Sequence, residues 1–503
     1  MVGLCGALLA GLVWRFWFVC DDAFILFRYS RHLAEGHGLT FNVGDPAPVE
    51  GFSEFLWTLV CAGFELLPGG APLLAPLVTA AGSLLLLVLV LRHGRDALGL
   101  GAAGLLAVGL VYAANPTVAI WSSSGLSSAL SALLIFLTWR ALFPGEGRDP
   151  RGLEAGAFGA LACLMRADGP YWVAVALGLF LVARLLAGAP WRAVLVRAVA
   201  VLVVVVGLFL AWRLATYGDY LPNTARAKVG MTALSLERGG KYLAHYLVIV
   251  PVAGLVGLAG LVRLARELAA GRGLDGVSSA ALMAWATFAY GVLVGGDFMT
   301  MGRFFLTAAP FLALVAGRLV QDAGTAPRVG WAAALVVSAL PMWDLHAAPQ
   351  GLRERLWFRW SDTGYVSEHA FWRGMRDRAA TWSELGRALA HHTGPDQSLV
   401  RGPIGAVGYY SELWLHDLYG LTNTEVLEAT APASVRSSPG HDRLVDPAFF
   451  ERYAPTYSGC WLAEPGETLE RLRRNPRYLV RSLPAEEFGG RVLVLERWRR
   501  PGG

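Results

Sequence analysis

Residues 2–22 read VGLCGALLAGLVWRFWFVCDD, an apolar run that Arg15 alone interrupts and that two adjacent aspartates, Asp21 and Asp22, end. A bilayer core about 30 Å thick takes about 20 apolar residues in a helix, so this run is long enough to span it. The run has neither a basic segment before it nor an A-x-A cleavage site after it. These features favour an uncleaved membrane anchor over a secretory signal.

The composition of the whole chain supports this interpretation. Of the 503 residues, 55% are hydrophobic and 16% are charged, whereas soluble domains carry about 25% charged residues. Intrinsic disorder requires low hydrophobicity and high charge and is excluded, and so much apolar surface argues against a soluble multidomain enzyme. The net charge of +5 predicts no nucleic-acid partner, because membrane proteins carry excess arginine in their cytoplasmic loops.

Ten further apolar runs follow, at about 71–91, 98–114, 124–143, 153–165, 170–187, 195–215, 243–265, 277–294, 304–320 and 329–342. A shorter run, Ser53–Leu67, contains two glutamates and ends in Pro-Gly-Gly. If this run does not span, the chain has about eleven transmembrane helices and its loops sort into two chemically distinct sets. We therefore predict an interfacial or re-entrant helix at 53–67 and an α-helical polytopic membrane domain over residues 1–342.

The two sets of loops differ in composition. One set is short and basic, and by the positive-inside rule it is cytoplasmic. The other set faces outward and consists of 21–52, 115–123, 166–169, 217–242, 297–303 and the tail after 343. The sequence thus predicts a multi-pass protein of the inner or plasma membrane. The arginines of the first set are Arg92, Arg95, Arg148, Arg151, Arg192, Arg263, Arg266, Arg272 and Arg328.

Ionisable residues collect in the outer loops, most of them within a residue or two of a span end. Such groups cost several kcal/mol at this depth unless they are paired or face a wet cavity. A convergent set on one face of the membrane therefore indicates a site. The polar and ionisable residues concerned are Asp21, Asp22, Arg28, Glu50, Arg166, Asp168, Asp219, Asn223, Arg226, Lys228, Asp297 and Arg303.

The first outer loop opens with a helical pattern that closes at Gly36 and Gly38. The pattern predicts an amphipathic helix on the membrane surface, whose positive N-terminal end stabilises Asp21 and Asp22. Three interpretations of this pair stay open. The aspartates form a helix cap with an acidic first turn, they supply a general base at the top of a membrane cavity, or they bind a divalent cation.

Three further breaks between spans carry charged residues. Residues 217–228 read YGDYLPNTARAK, an ordered turn whose two cations bind either lipid headgroups or a ligand. Residues 295–303 read GGDFMTMGR, and residues 165–170 read MRADGP. Taken alone, each of the last two breaks is interpreted as a local salt bridge inside the bundle.

Together these segments resemble a known family. Seven motifs occur in order: DDAFILFRYSRHLAEGHGLTFNVG, VEGFSEFLWTLV, SSSGLSSAL, LMRADG, YGDYLPNTARAK, GGDFMTMGRFFL and GAVGYYSELWLHDLYGLTN. The chain resembles the polyprenyl-phosphate-sugar-dependent membrane glycosyltransferases of the GT-C fold. Within them it is most similar to the AftB-like terminal arabinofuranosyltransferases of mycobacterial cell walls and their ZomB-like relatives. The resemblance covers nearly the whole chain, including the tail.

The resemblance implies an inverting enzyme that moves arabinofuranose, or another pentose or hexose, from a polyprenyl phosphate to an extracytoplasmic cell-envelope glycan. It implies a catalytic carboxylate at Asp21 or Asp22 that deprotonates the acceptor hydroxyl. It names no certain cofactor. Candidates for the donor phosphate are Arg226, Lys228, Arg303, Arg28 and Arg166. Candidates for contact with the sugar or acceptor are Glu50, Asp219, Asn223, Asp297 and His441. Relatives commonly carry an acidic residue where this chain has Ser127, which leaves the sugar and the linkage open.

From about Trp343 the charge rises and the long apolar runs stop. This change predicts a soluble extracytoplasmic α/β domain over residues 343–503. Helices are expected around Phe371–His392 and Pro447–Tyr453. Strands are expected at Ser398–Arg401, Leu413–Leu418, Tyr478–Leu483 and Arg491–Glu496.

Two other classes of function fit a polytopic membrane protein. A transporter is disfavoured, because the sequence shows no internal repeat and its ionisable residues collect at one face instead of the membrane middle. A non-catalytic envelope or flagellar-motor-associated membrane protein stays an alternative, because Ser127 replaces the acidic residue of the relatives.

Overall fold

Apolar helices make up the first two thirds of the chain and follow the runs predicted from the sequence. The computed structural model describes residues 1–228, 232–360, 364–430, 437–441, 443–464, 466 and 468–498. The helices of this part are Val2–Arg15, Asp21–Ala34, Phe55–Glu65, Gly70–Asp96, Ala102–Ala113, Pro116–Trp121, Ser128–Leu142, Gly152–Met165, Gly169–Leu186, Arg192–Tyr217, Asn223–Lys228, Ala233–Ile249, Pro251–Ala269, Gly276–Leu293, Ala309–Asp322 and Thr325–Ala339. Two 3-10 helices, Thr300–Ala308 and Leu340–Trp343, complete it.

Helix length alone does not yield eleven spans. Among the described residues, five helices are long and apolar enough to cross a membrane, and a bent pair brings the number to six. The predicted spans at 2–20, 98–114, 124–143 and 153–165 correspond to apolar helices of 12 to 15 residues. The Ser53–Leu67 run forms the short helix Phe55–Glu65 of 11 residues.

The predicted span at 243–265 is not one continuous helix. The chain bends there by 102° between the helices Ala233–Ile249 and Pro251–Ala269. Pro251 has no N–H to continue a helix, and a proline also disfavours the helical conformation of the residue before it. Val250 accordingly leaves the helical region, with φ −123° and ψ 65°.

The helix of the first outer loop, Asp21–Ala34, is called the loop helix below. It forms where the sequence predicts it, and the chain turns at Gly36 with a positive φ of 86°. The expectation that it lies exposed on the membrane surface is wrong, because all residues from Ala23 to Ser30 are buried. Helix Phe55–Glu65 packs on one side of it, and helix Gly405–Ser411, called the docking helix below, packs on another.

The C-terminal part is an α/β domain with one mixed five-stranded sheet. Its strands are β1 (Ser398–Arg401), β2 (Trp414–Asp417), β3 (Tyr457–Ala463), β4 (Tyr478–Ser482) and β5 (Val492–Arg497), in the order β2-β1-β3-β5-β4. Strand β1 pairs in parallel with β2 and β3, and β5 pairs antiparallel with β3 and β4. The helices are Gln350–Arg355, Glu368–Ala390, Gly405–Ser411, Thr424–Ala429, Thr468–Arg474 and Ala485–Phe488, with a 3-10 helix at Pro447–Tyr453.

Four of the five strands lie where the sequence predicts them, to within two residues at either end. The central strand β3, which contains Gly459, was not predicted from the sequence. A side chain at Gly459 would collide with the carboxylate of Glu496 on β5, 2.9 Å from an ideal Cβ.

Predicted outer segments contact one another and the C-terminal domain. Among the outer segments, the Ala167 N–H donates to the carbonyl of Ser53, and the Asn223 N–H donates to the carbonyl of Glu50. Asn223 also donates through its side chain to the carbonyls of Gly420 and Leu421 in the C-terminal domain. The C-terminal domain therefore sits on the end of the bundle that carries the outer loops.

Candidate functional site

A cavity of about 320 Å3 lies where the outer loops meet the C-terminal domain, and it is called the first cavity below. Its wall combines the loop helix, the 51–54 segment, the 166–168 break, the 296–304 segment and residues 421, 439 and 440 of the C-terminal domain. Its described ionisable lining residues, tyrosine aside, are Asp22, Glu54, Arg166, Asp168, Asp297 and Arg303.

Arg166 is fixed by two carboxylates of the first cavity. Its Nε and Nη2 donate to the two oxygens of Asp168 at 3.0 and 2.9 Å, and its Nη1 donates to Glu54 at 3.0 Å. The hydroxyl of Tyr290 also donates to Asp168, at 3.1 Å. Because the guanidinium of arginine has five N–H groups, this pairing holds its plane in place and leaves further donors for a ligand.

Arg303 is fixed in a similar way on another wall of the same cavity. Its Nε and Nη2 donate to the two oxygens of Asp297 at 2.7 and 3.1 Å. Its guanidinium carbon also lies 5.5 Å from the ring centre of Trp121. Arg303 and Asp297 stand at the two ends of the loop 297–303, so the conformation of that loop sets their geometry.

Asp21 and Asp22 are adjacent in sequence but have different surroundings. The carboxylate of Asp21 accepts from the N–H groups of Gly405 at 3.3 Å and Ala406 at 2.8 Å, at the start of the docking helix. Burial raises the pKa of Asp21 to about 6, in spite of these hydrogen bonds. Asp22 lines the first cavity and also a second one. The pair therefore divides into Asp21, which joins two domains and lines the second cavity alone, and Asp22, which lines both cavities.

The second cavity, about 700 Å3, lies between the loop helix and the C-terminal domain. It shares Asp22, Ile25, Phe298, Leu421 and Gly440 with the first cavity, so the two spaces adjoin at Asp22. The remainder of its wall includes Asp21, Arg378 and four aromatic side chains: Phe371, Trp382, Tyr419 and His441. Such rings present the flat apolar faces that sugars stack on.

His441 lies in the wall of the second cavity. Its ring is perpendicular to those of Phe298 and Tyr419, with centres 4.6 and 5.1 Å apart. This placement fits the predicted contact with the acceptor.

The structure does not bring Arg28 to either cavity. Its guanidinium is 2% exposed and donates to the carbonyls of Phe41, Gly408 and Leu413 at 2.6, 2.8 and 2.7 Å. Arg28 therefore ties the loop helix to the C-terminal domain. These neutral carbonyls occupy the donors that a phosphate would need.

Four other predicted residues also lie outside the walls of the two cavities. Glu50 is 3% exposed and forms a buried ion pair with Arg213 at 2.8 Å. Asp219 and Arg226 pair with each other at 2.6 Å, and the Arg226 side chain is 56% exposed. Asn223 binds the C-terminal domain, although its neighbours Thr224 and Ala225 line the first cavity. The side chain of Lys228 lies outside the described residues.

No role was predicted for Glu54, and Asp168 was predicted to line the site without a contact to a substrate. Glu54 stood inside an apolar run, and Asp168 was taken as the partner of a local salt bridge with Arg166, which is one of its contacts. Glu54 also accepts from the backbone N–H of Ser127 at 2.9 Å. Ser127 stands where the family resemblance implies an acidic residue. Its backbone thus contacts the carboxylate of Glu54, which another segment of the chain supplies. The signal for Glu54 was a single charge in an otherwise apolar helix start.

The divalent-cation alternative gains no support from the residues that the structure describes. No group of three His, Cys, Asp or Glu side chains among them is arranged to hold a metal ion. Both oxygens of Asp21 face the N–H groups of the docking helix, so this residue does not fit a shared cation site with Asp22.

Parts of the chain are similar in sequence to known proteins. A family model described as a domain of unknown function (DUF8728) matches residues 370–498. The chain is 28% identical over 233 residues to the terminal beta-(1->2)-arabinofuranosyltransferase of Mycobacterium tuberculosis, which is 43% of this chain and 35% of that protein. It is 27% identical over 420 residues to the Corynebacterium glutamicum protein of the same name, which is 74% of this chain and 58% of that protein. The matches thus span a third to somewhat over half of these relatives.

The fold is similar to that of a solved structure over almost its full length. ArnT from Cupriavidus metallidurans, bound to undecaprenyl phosphate, superposes with a TM-score of 0.61 and covers 98% of this chain and 97% of its own, at 15% identity. The chain has the GT-C fold. The apo state of ArnT matches with a TM-score of 0.59 at 16% identity. The resemblance to AftB-like terminal arabinofuranosyltransferases and to the GT-C fold is therefore confirmed.

Proposed function

We propose that the chain is a membrane glycosyltransferase that transfers a sugar from a polyprenyl-phosphate donor to a glycan acceptor. The observation that carries the proposal is the position of Asp22, a carboxylate shared by two adjoining cavities. Transfer requires a donor site and an acceptor site that meet at one base. The names of the two relatives suggest arabinofuranose as the sugar.

In this proposal the donor phosphate lies in the first cavity, near Arg303 and Arg166. Carboxylates hold each guanidinium on one side, at distances of 2.7 to 3.1 Å. The N–H groups that do not bind these carboxylates are the donors that we assign to the phosphate. Fixed donors of this kind stabilise the negative charge that develops on a departing phosphate without reorganising. The fold match to a protein solved with undecaprenyl phosphate supports a lipid-phosphate donor.

The acceptor glycan occupies the second cavity, against the rings of Tyr419 and His441. Asp22 takes the proton of the acceptor hydroxyl as its oxygen attacks the anomeric carbon of the donor. The bond from that carbon to the phosphate oxygen breaks through an oxocarbenium-like transition state, and the lipid phosphate leaves with the electron pair. Direct displacement inverts the anomeric centre. Phosphate leaves as a stable anion, so the step needs no general acid.

We further propose that the cavities and the C-terminal domain face the extracytoplasmic side of the plasma or inner membrane. The support is the charge of the opposite connections, where short loops carry arginines such as Arg148, Arg192 and Arg328. The acceptor is then a cell-envelope glycan, and membrane lipids surround the bundle.

The test is transfer by the purified full-length protein from decaprenyl-phosphate-linked arabinose to an arabinan oligosaccharide. Asp22→Asn is expected to lower the rate about 10²–10⁴-fold, the usual contribution of a general base. Asp21→Asn is the matched control, because it makes the same chemical change one residue away, and a loss of less than about tenfold is expected. Equal or reversed losses would refute the assignment of the base.

A chelator in the same assay tests the divalent-cation alternative. We expect EDTA to leave the rate unchanged. If the wild-type protein transfers no sugar and binds no lipid phosphate, the proposed function is wrong.

A further inference from the structure

The loop between Asp297 and Arg303 has a strained backbone. Met301 has φ 52° and ψ 29°, and Gly302 follows with φ 65°. Glycine adopts this left-handed region readily, but a long side chain such as that of Met301 rarely does. A loop with this conformation persists only where its surroundings hold it.

Two side chains from the C-terminal part hold the loop by its backbone. The carboxylate of Glu368 accepts from the N–H of Met301 at 2.6 Å. The hydroxyl of Thr300 is shared between that carboxylate, at 2.9 Å, and the carbonyl oxygen of Glu368, at 2.7 Å. Arg359 donates to the carbonyls of Phe298 at 2.5 Å and Met299 at 3.0 Å. Four consecutive residues of the loop are therefore bound by one arginine and one glutamate.

Arg359 and Glu368 also bind each other. Their side chains meet at 2.8 and 3.1 Å, and they are 0% and 1% exposed. Nε2 of His245 lies 3.2 Å from the same carboxylate. Arg359 and His245 lower the pKa of Glu368 against the effect of burial, so the carboxylate is ionised.

A fully buried ion pair is a poor source of stability. The cost of removing two charges from water often matches their attraction, and apolar residues of similar volume serve as well or better. An anchor for the C-terminal domain would need no charge at this place. The pair has one property that apolar residues lack, since it binds backbone N–H and C=O groups and so imposes one loop conformation.

We propose that Arg359 and Glu368 are positioning residues that set Asp297 and Arg303 for the donor phosphate. The inference rests on the proposed function, because it takes the first cavity as the donor site. Asp297 precedes the bound residues 298–301 directly, and Arg303 follows them after Gly302. Loosening the loop would move the fork of Arg303 relative to the phosphate. It would also shift Phe298 and Met299, which are two of the residues that line the second cavity, where the acceptor lies.

The experiment measures binding of undecaprenyl phosphate by the full-length protein in detergent, for the wild type, Glu368→Gln and Arg359→Met. We expect the Kd to rise at least tenfold in both variants. In transfer assays the KM for the donor rises by a larger factor than the KM for the acceptor. A purely structural role would lower the yield or the unfolding midpoint and leave the Kd of the folded protein unchanged.

The matched control is Glu65→Gln, which neutralises another buried carboxylate away from this loop. Glu65 is bound to the hydroxyl of Tyr409 at 3.0 Å and pairs with Arg31 at 3.7 Å. We expect its Kd for undecaprenyl phosphate to stay within twofold of the wild type. An equal rise in this variant would overturn the proposal, because it would show a general effect of losing a buried charge.

Thr300→Val keeps the test decisive if the charged variants do not fold. It removes one hydroxyl that donates to Glu368 and changes no charge, and we expect a threefold to tenfold rise in the Kd. A folded Glu368→Gln, or failing that Thr300→Val, that binds as the wild type does would overturn the positioning role and leave the proposed function intact. A wild type that binds no undecaprenyl phosphate would overturn both.

Discussion

At the scale of single residues, neighbouring side chains of the same type acquire different roles from their surroundings. Asp21 and Asp22 both begin the loop helix, and the sequence alone does not separate them. The difference comes from the docking helix, which lies almost 400 positions later and offers two N–H groups to Asp21 only. Asp22 is left at the wall between the two cavities.

The raised pKa of Asp21 predicts a pH-dependent contribution to stability. In the folded protein the carboxyl has a pKa of about 6, above its ordinary value of 3.8, so between these values the folded state binds more protons than the unfolded state. Its contribution is fully present below about pH 4 and is lost as the pH rises through 6. We expect the unfolding midpoint of the wild type, relative to Asp21→Asn, to fall between pH 4 and 6.5.

The measurement is thermal unfolding of both full-length proteins in detergent across that pH range. The Asp21→Asn variant keeps an oxygen that accepts from the docking helix, but its side chain does not titrate. It therefore serves as the reference against which the pH dependence of the wild type is measured. A difference between the two midpoints that is constant with pH, or that rises with it, would contradict the prediction.

Glu54 is a second residue whose role depends on its contacts. It holds Arg166 at 3.0 Å and the N–H of Ser127 at 2.9 Å, and its side chain is 6% exposed. Without the charge of Glu54, Arg166 keeps Asp168 as its ion-pair partner but loses the carboxylate that fixes its Nη1. We expect Glu54→Gln to raise the donor KM about tenfold or more in transfer assays. Glu65→Gln, at the other end of the same helix, should leave this KM unchanged, and a similar rise in both would contradict the role of Glu54.

At the scale of elements, the docking helix fixes the loop helix. Two glycines make the close contact possible. An ideal Cβ at Gly405 would lie 2.0 Å from the carbonyl oxygen of Asp21, and one at Gly408 would lie 2.8 Å from Nη1 of Arg28. Any side chain at either position would push the two helices apart and disturb the hydrogen bonds of Asp21 and Arg28.

Gly405→Ala is therefore expected to destabilise the protein by about 1–3 kcal/mol or more, the usual range for overpacking. The rate of sugar transfer is expected to fall as well, because the displaced loop helix carries Asp22. Gly351→Ala is the control, because nothing lies within 4 Å of a Cβ at that helical position. Denaturation of both variants in detergent measures the difference. Equal stability of the two variants would contradict the close contact.

The sequence predicted elements with a strong local signal and missed those that depend on distant partners. The loop helix was predicted correctly because its acidic start, helical pattern and closing glycines are all local. Its burial was not predicted, since the docking helix that covers it comes from the C-terminal domain. The bend at Val250 has a local signal in Pro251, but the length of the apolar run alone does not show it.

The candidate site shows the same division. Asp22, Arg166, Asp297 and Arg303 were predicted because charges at the ends of apolar runs are unusual, and the structure places them around one cavity. Arg28, Glu50 and Arg226 have the same signal, yet they bind other protein groups away from the cavities. The sequence shows that a charged residue stands at the end of an apolar run. It does not show which group in the folded protein neutralises that charge.

At the scale of the whole molecule, the two cavities exist only where two domains meet. The first cavity takes its walls from the bundle and from Leu421, Pro439 and Gly440, and the second takes most of its walls from the C-terminal domain. The C-terminal α/β domain, which was predicted to be soluble, thus forms part of the candidate site. Its position on the outer loops also determines which side of the membrane the chemistry faces.

The proposed extracytoplasmic orientation of the cavities predicts which surface positions a membrane-impermeant maleimide reaches in intact cells. The five native cysteines are all buried, so single exposed cysteines report without interference from them. Glu35→Cys and Glu428→Cys lie on the side of the cavities and are expected to react in intact cells. Glu146→Cys and Arg272→Cys lie in the basic connections and are expected to react only after permeabilisation. Reaction of all four in intact cells, or the reverse pattern, would contradict the orientation, because loops joined by contact to one cavity must share one side of the membrane.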